Sequence, residues 1–288
     1  MKFSVLSSGS KANCTLLESD DVRVLIDCGL SAKQTELRLQ EVGVSPASIS
    51  AILITHEHSD HIAGLDVFAR RHRIPVYLTQ GTLEAYNEIL GRSKRGTLSS
   101  PNHCSPNHCS PNPFERRIVP RGASFAVGTL EVSPFAVSHD AAEPVGYRFS
   151  QNGIVFVQCT DLGRVTQGVR DALKGAHGIV LEANHDEDLL RSCEYPWEVK
   201  ERILSNQGHL SNHTSGHLLS EILHSDLLHV VLGHLSEHSN RPDVALSTID
   251  TYLPQKREFS LGCASIHHAL PLVRIDERLT PAAFIKAA

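Results

Sequence analysis

Short apolar runs rich in β-branched residues alternate with segments of helical periodicity along most of the chain. In the first part of the chain, this pattern predicts strands at 3–6, 22–26, 51–55 and 76–78 and helices at 31–42 and 61–72. Beyond residue 124 it predicts strands near 130–137, 145–149, 154–159, 178–182 and 229–232, and helices near 165–173, 197–204, 215–224 and 244–252. Two such halves predict two packed sheets with helices outside them, an α/β fold of the αβ/βα sandwich type.

A five-residue unit, Ser-Pro-Asn-His-Cys, is repeated between the two halves, within residues 100–112. Its histidines and cysteines are residue types that bind zinc, and the candidate ligands are His103, Cys104, His108 and Cys109. A Pro/Asn/Ser composition does not pack into a core, however, which favours a disordered insertion at about 99–113. We expect one domain over residues 1–271 that carries this insertion, followed by a C-terminal tail over 272–288.

The composition is that of a globular protein, with 41% hydrophobic and 20% charged residues among 288. None of the apolar runs approaches the roughly 18 residues of a membrane span, and the N-terminal segment passes directly into a Gly/Ser turn without the apolar core of a signal peptide. Four of the seven cysteines lie in or beside apolar, strand-like segments, namely Cys14, Cys28, Cys159 and Cys263. We therefore expect a cytoplasmic protein with no disulfide and no membrane partner.

The formal net charge of −5 lacks the basic field of a non-specific nucleic-acid binder, although a local basic cluster at 70–73 and bound divalent cations can still attract nucleic acid. Histidine is the anomaly in the composition, with eighteen residues. The positions of these histidines therefore matter more than the overall charge.

The densest group of histidines is the segment Thr-His-Glu-His-Ser-Asp-His at 55–61, directly after a predicted strand. At a strand-to-helix turn, alternate residues can point the same way, so His56 and His58 can serve one metal ion while Asp60 and His61 serve a second. A lone His-x-His pair is weak evidence, whereas this longer group after an apolar strand is specific for metal binding.

This segment is the signature of the metallo-β-lactamase superfamily, and four further segments resemble that family's other motifs in the family's order. They are LIDCG at 25–29, VSHD at 137–140, CTDLG at 159–163 and VVLGHLS at 230–236. The resemblance implies that Asp27 orients metal ligands through hydrogen bonds. The alternative role of Asp27 is an N-cap for the helix at 31–42.

The resemblance also implies two complete metal sites that share one carboxylate. One ion would be held by His56, His58, His139 and Asp161, and the other by Asp60, His61, His234 and Asp161. Because these ligands are all nitrogen and oxygen atoms, they suit zinc and equally manganese or iron(II). We expect two divalent ions.

Longer stretches are similar to the YycJ/WalJ group of bacterial metallohydrolases, which is related more distantly to tRNase Z and to a cyclic phosphodiesterase. They lie at 6–10 with Asn13, 138–147, 181–186, 195–197, 208–212 and 233–236. Membership of this group implies a nuclease-like phosphodiesterase, with 5′-to-3′ exonuclease activity on double-stranded DNA, so DNA is favoured over RNA as the partner. The sequence is also compatible with a homodimer.

Hydrolysis at two metal ions needs residues that handle protons. Asp60 is the candidate for orienting the attacking water or taking its proton. His209 is the first candidate for the acid that protonates the leaving group, followed by His185 and His213, because all three lie in loop-like segments of the same half.

Several residues are candidates for contacting substrate. The turn Ser8-Gly9-Ser10 either offers backbone N–H groups to an anion or is a plain β-turn. The segment 184–186 either lines the cleft or caps a helix over 187–191. The full set of predicted substrate contacts is Ser8, Gly9, Ser10, Asn13, Asn184 and His213.

Two other functions remain open from the sequence. One is a carbonyl hydrolase of the glyoxalase II or lactonase kind, which cleaves thioesters or esters at the same metal centre. The other is a metal-binding regulatory protein linked to two-component signalling. The Gly-His-Leu-Ser sequence at 233–236 resembles the phosphodiesterase branches, which favours the nuclease.

Overall fold

The computed structural model describes residues 1–96 and 114–276, so the repeat with His103, Cys104, His108 and Cys109 lies outside the described residues. The strands are Lys2–Ser7 (β1), Cys14–Glu18 (β2), Arg23–Ile26 (β3), Ala51–Leu53 (β4), Val76–Leu78 (β5), Arg116–Ile118 (β6), Phe125–Val127 (β7), Leu130–Ala136 (β8), Val145–Gln151 (β9), Ile154–Cys159 (β10), Gly178–Glu182 (β11), His229–Gly233 (β12), Ser260–Cys263 (β13) and Val273–Arg274 (β14). The α-helices are Ala32–Glu41 (α1), Ser59–Ile62 (α2), Leu65–His72 (α3), Gln80–Gly96 (α4), Gln167–Leu173 (α5), Glu187–Ser192 (α6), Trp197–Leu204 (α7), Asn212–Glu221 (α8) and Pro242–Asp250 (α9).

The strands form two seven-stranded sheets with the orders β14-β1-β2-β3-β4-β5-β6 and β13-β12-β11-β10-β9-β8-β7. In each sheet, antiparallel strands pass into a run of parallel ones, β3 to β6 in the first and β10 to β13 in the second. The carboxyl ends of parallel neighbours lie at the same edge of a sheet. The residues that follow β3, β4, β10, β11 and β12 are therefore brought to shared edges.

Successive residues of the central strands are buried on opposite faces. In β3, Val24 and Ile26 pack between the two sheets with Phe156 of β10, whereas Leu25 packs outward with Leu39 of α1. The outer face of the second sheet packs against α5, α8 and α9. Strands that are buried on both faces have nearly continuous apolar sequences, as these central strands do. The layers confirm the predicted αβ/βα sandwich.

The predicted helix over 61–72 is two helices, α2 and α3, separated at Gly64. A Cβ atom on Gly64 would lie 1.9 Å from the carbonyl oxygen of Leu30, so only glycine allows this close approach of two backbones. Six elements were missed by the hydrophobic pattern, namely β2, α4, β6, β7, β13 and β14. Helix α4 did carry a signal, because Leu83, Tyr86 and Leu90 pack against the core at helical spacing.

The packed part of the chain extends past residue 271, where the sequence predicts a tail. Val273 and Arg274 pair with Phe3 and Lys2 at the edge of the first sheet, and Ile275 is buried. Within the described ranges, no helix combines the length and apolarity needed to cross a membrane.

We expect Gly29→Ala to destabilise the fold by more than about 2 kcal/mol, because an added Cβ would lie 1.6 Å from the carbonyl oxygen of Asp60 and force two backbones apart. Thermal and urea unfolding measure this change. Gly168→Ala is the matched control, since a Cβ there meets no atom closer than 3.8 Å within helix α5, and it should leave stability within about 1 kcal/mol. Equal stability of both variants would contradict the close contact at Gly29.

Candidate metal centre

Three of the candidate site residues lie just after strand ends with a left-handed backbone. Asp27 follows β3 with φ of 62°, Asp161 follows β10 with φ of 61°, and His234 follows β12 with φ of 56°. Only five non-glycine residues in the described ranges have a positive φ, and three of them are here. Such conformations cost of order 1–3 kcal/mol each and concentrate at functional sites. They turn these side chains toward one common point.

Hydrogen bonds at the end of β4 determine which nitrogen of two histidines is free. His61 Nδ1 lies 2.8 Å from Asp27 Oδ2, and His56 Nδ1 lies 3.0 Å from the hydroxyl of Thr55. Thr55 also bonds to Asp27, through its backbone N–H at 2.9 Å. With the proton on Nδ1, the Nε2 lone pairs of His56 and His61 are left for a metal. Asp27 therefore holds the ring of the candidate ligand His61 and does not cap α1, whose N-cap is Ser31.

Two more histidines, which follow strands of the second sheet, also have their Nδ1 atoms hydrogen-bonded to protein oxygens. His139 Nδ1 lies 3.2 Å from the carbonyl oxygen of Gly208, and His234 Nδ1 lies 3.1 Å from Glu182 Oε1. Their Nε2 atoms are left free in the same way. His58 is turned the other way round, because its Nε2 lies 3.2 Å from the carbonyl oxygen of Asp140 and its Nδ1 faces the cluster.

The free nitrogen atoms converge into two groups. In one group, His58 Nδ1 lies 3.1 Å from His56 Nε2 and 3.2 Å from His139 Nε2. In the other, Asp60 Oδ2 lies 3.2 Å from His61 Nε2 and 3.5 Å from His234 Nε2. The ligand edges of a tetrahedral site with bonds of about 2.0–2.1 Å measure about 3.4 Å, so both groups have the spacing of metal ligands.

Asp161 lies between the two groups. Its Oδ1 is 3.3 Å from His234 Nε2 and 3.9 Å from His139 Nε2, while its Oδ2 is 3.5 Å from His61 Nε2. Oδ2 is buried and accepts no hydrogen bond from the residues that the structure describes. A buried carboxylate oxygen without a donor is costly unless a cation binds it. The donor set and this unpartnered oxygen thus fit divalent metal ions.

The electrostatics of the cluster also favour a cation. Burial lowers the pKa of His56 and of His139, so these imidazoles are neutral ligands. Burial also acts to lower the pKa of His61 and His234, but nearby carboxylates outweigh it. The pKa of His61 rises well above its usual value beside Asp27 and Asp161, and that of His234 rises to about 10 beside Asp161. The same negative field that attracts these protons would stabilise a metal cation.

Glu182 is a site residue that the sequence patterns did not single out. It is fully buried at the end of β11, and its Oε1 lies 2.8 Å from His209 Nδ1 as well as 3.1 Å from His234 Nδ1. Burial alone would raise the pKa of Glu182, but the adjacent His209 holds it at about 2. The sequence did contain one signal for Glu182, namely its position as a charged residue at the end of an apolar strand.

Glu182 places His209 beside the candidate ligands. The His209 ring centre is 5.1 Å from that of His139 and 5.0 Å from that of His234. His185 is also buried, and its Nδ1 has no hydrogen-bond partner within the described ranges. Glu182 and His209 interact with it electrostatically. Its ring, however, makes no contact with the rings of the cluster in the described structure. His213 is turned away, hydrogen-bonded to Tyr252 at 2.9 Å in a separate surface depression.

Three of the predicted substrate contacts near the N-terminus, Ser8, Gly9 and Asn13, form hydrogen bonds to the cluster or to one another. Asn13 Nδ2 lies 3.1 Å from both Asp60 Oδ2 and His61 Nε2. Ser8 Oγ accepts the backbone N–H of His234 at 2.8 Å, and Gly9 donates its N–H to Asn13 Oδ1. Ser10 is exposed. The N–H of Gly9 is thus already engaged within the protein.

The segment 184–186 also acts within the protein. Asn184 Nδ2 donates to the carbonyl oxygen of His234 at 2.9 Å, which supports the left-handed turn there. Asp186 accepts hydrogen bonds from the N–H groups of Asp188 and Leu189, so it caps α6. The structure therefore favours the helix-cap alternative for Asp186.

The chain belongs to the β-lactamase superfamily, since the family described as β-lactamase superfamily domain matches residues 22–229. Within this class it is similar to two named bacterial proteins. It is 35% identical over 273 residues to exodeoxyribonuclease YycJ of Bacillus anthracis, covering 94% of this chain and 96% of that protein. It is 37% identical over 281 residues to exodeoxyribonuclease WalJ of Streptococcus pneumoniae, covering 95% and 98%.

A solved structure shares the fold at low sequence identity. The metallo-β-lactamase fold protein YhfI of Bacillus subtilis superposes with a TM-score of 0.66 at 15% identity, covering 93% of this chain and 97% of that one. The family match and the two relatives confirm the family resemblance inferred from the motifs.

We expect Asp27→Asn to weaken metal binding by about 10- to 100-fold, because the carboxylate that holds His61 in the right tautomer is lost while its shape is retained. Competition with a chromophoric chelator measures the affinity without any enzymatic assay. Glu131→Gln, at an exposed position on β8, is the matched control and should bind as the wild type does. An affinity of Asp27→Asn within twofold of the wild type would refute the orienting role.

Proposed function

We propose that the chain is a metal-dependent phosphodiesterase that degrades DNA as an exonuclease, with two divalent ions in the candidate metal centre. The observation that carries this proposal is Asp161, a single buried carboxylate that lies close to nitrogens of both groups, with its Oδ1 3.3 Å from His234 Nε2 and 3.9 Å from His139 Nε2. The similarity to two exodeoxyribonucleases over nearly the whole chain supports the substrate class.

The ligands divide as the distances suggest. One ion would be held by His56, His58, His139 and Asp161, and the other by Asp60, His61, His234 and Asp161. Nitrogen and oxygen ligands without thiolate suit zinc or manganese, and iron(II) as well. Two such ions, when bound, activate water and neutralise negative charge on a phosphoryl group.

Asp60 is suited to orient the attacking water and to take its proton. Its side chain is 18% exposed, whereas His61 beside it is fully buried, so Asp60 is within reach of solvent and substrate. The amide of Asn13 donates to Asp60 Oδ2 and holds the carboxylate in place. Positioned carboxylates of this kind serve as general bases.

His209 is suited to protonate the leaving oxygen. Its Nδ1 lies 2.8 Å from Oε1 of the buried Glu182, which fixes the orientation of the ring. The other ring nitrogen, Nε2, is then the atom that would pass a proton to the leaving group. The side chain is 16% exposed, which leaves it accessible from the cleft.

Arg202 supplies a positive charge for the DNA backbone at the mouth of the cleft. It pairs with Asp140, which follows the candidate ligand His139, yet its side chain remains 60% exposed. Guanidinium groups bind phosphate through paired hydrogen bonds. An exposed guanidinium this close to the ligands suits a phosphodiester better than an uncharged ester.

The finer parts of the proposal are DNA over RNA, 5′-to-3′ polarity and a cytoplasmic location. The names of the two relatives support DNA, and the described cysteines are all free, which suits a reducing compartment. The proposed chemistry uses residues of one chain, so it holds for a monomer and a homodimer alike.

Metal-loaded protein should cleave bis(p-nitrophenyl) phosphate and shorten DNA from one end, and a chelator should abolish both activities. Asp60→Ala should lower both rates by at least about 100-fold, because the residue that manages the proton of the water is gone. Single- and double-stranded DNA and RNA labelled at the 5′ or the 3′ end reveal substrate and polarity. Asp171→Ala, on the exposed face of α5, is the control.

Two results would overturn the nuclease. Cleavage of thioesters or lactones without cleavage of phosphodiesters would favour the carbonyl hydrolase. Full cellular function of a His58→Ala, Asp60→Ala double variant would favour the regulatory protein.

His209→Ala should slow DNA cleavage by about 10²- to 10⁴-fold, because an alkoxide leaving group needs a proton. The same variant should lose less than about tenfold on bis(p-nitrophenyl) phosphate, whose leaving group is stable without protonation. His217→Ala, at an exposed position on α8, should change neither rate. Equal losses on both substrates would argue that His209 acts only through the metal centre.

A further inference from the structure

A cavity of about 410 Å³ lies beside the candidate metal centre. It is lined by Ser8, by residues of β13 and α9, and by residues of the loops that follow β12 and β13. We propose that this cavity binds the base and sugar of the terminal nucleotide of a DNA strand while the adjoining phosphodiester lies at the metal centre. The inference rests on the proposed function and adds the site that recognises a strand end.

The cavity and the candidate centre share a wall. Leu235 lines the cavity and directly follows the candidate ligand His234. Ser8 also lines it, and the Ser8 hydroxyl both accepts the His234 N–H at 2.8 Å and bonds to Asn13 Oδ1 at 3.1 Å. The other end of the Asn13 amide reaches Asp60. Two hydrogen bonds thus connect the cavity wall to a candidate ligand, which places the cavity next to the candidate centre.

The interior of the cavity is suited to a nucleobase. Its floor is formed by apolar side chains, namely Leu235, Pro242, Leu246, Leu261 and Ile266. Enzymes that bind a single unstacked base hold its faces between aromatic or apolar side chains. The cavity volume is at the small end of the about 300–1,000 Å³ typical of small-molecule sites, which suits one nucleoside and not a base pair.

The rim of the cavity is suited to the charge of a nucleic acid. Arg241, His267 and His268 are exposed there and can contact phosphate. Glu237 is the acidic residue on the rim, and its charge is neutralised by an ion pair with Lys11 at 2.5 Å. An apolar floor with exposed hydrogen-bond donors at the rim matches a nucleotide and distinguishes the site from a general apolar groove.

The site has a consequence for the product. Because the cavity holds one nucleoside, the phosphodiester at the metal centre is the one that joins the last nucleotide to the strand. Cleavage would then release mononucleotides in succession. The cavity would account for action at strand ends.

The experiment compares a DNA strand with a normal terminal nucleotide and the same strand with an abasic one. Wild-type protein should prefer the normal end by at least about tenfold in kcat/KM. Leu246→Trp fills the cavity and should reduce that preference to within about twofold, mainly by slowing the normal substrate. Val244→Trp lies on the same helix, α9, outside the cavity lining, and should keep the wild-type preference.

A binding measurement on the wild type removes any dependence on how the variant folds. In equilibrium dialysis, thymidine monophosphate should bind at least about tenfold more tightly than 2-deoxyribose 5-phosphate, which lacks the base. Equal binding of the two, or an unchanged end preference in folded Leu246→Trp, overturns the inference while the nuclease stands. Failure of metal-loaded wild type to cleave any DNA overturns the proposed function and the inference with it.

Discussion

The candidate centre depends on the hydrogen bonds that fix the tautomers of five histidines. In each ring, one nitrogen lies within hydrogen-bond distance of a protein oxygen, and the other nitrogen is left free. The oxygens belong to Thr55, Asp27, Gly208, Glu182 and Asp140. Those free nitrogens come within 3.1–3.2 Å of one another in the group around His58. Two lone pairs at that distance repel unless a cation lies between them. The surrounding acceptors thus prepare the site before any metal arrives.

The sandwich fold provides these acceptors because both sheets end at the site. The backbone N–H of Val145 donates to the carbonyl oxygen of Thr55 at 3.1 Å, which ties the start of β9 to the end of β4. The left-handed turns at Asp27, Asp161 and His234 cost energy locally, and the core between the sheets offsets that cost. Aspartate and histidine accept such backbones better than most residues, so ligand chemistry and turn chemistry agree.

The sequence predicted features that are determined within a short segment of the chain. It could not predict features that arise from contacts between distant segments. The group at 55–61 and the apolar strands could be identified locally, because spacing and strand position determine them. The break at Gly64 could not, since it arises from contact with Leu30 in another segment. The contact of Glu182 with both His209 and His234 joins three separate segments. The outward position of His213 likewise follows from its bond to Tyr252, a partner that periodicity cannot indicate.

The end of β12 shows how chemistry and recognition can be separated in this fold. His234 lies 3.3 Å from the candidate ligand Asp161, and Leu235 immediately after it lines the cavity, at the left-handed turn that follows β12. The cavity is otherwise lined by β13, α9 and the loops after β12 and β13, and the candidate ligands follow strand ends of both sheets. Loops tolerate substitution better than the elements they connect. If the cavity binds the terminal nucleotide as proposed, the choice of substrate can change through these loops while the hydrogen bonds that hold the histidines stay intact.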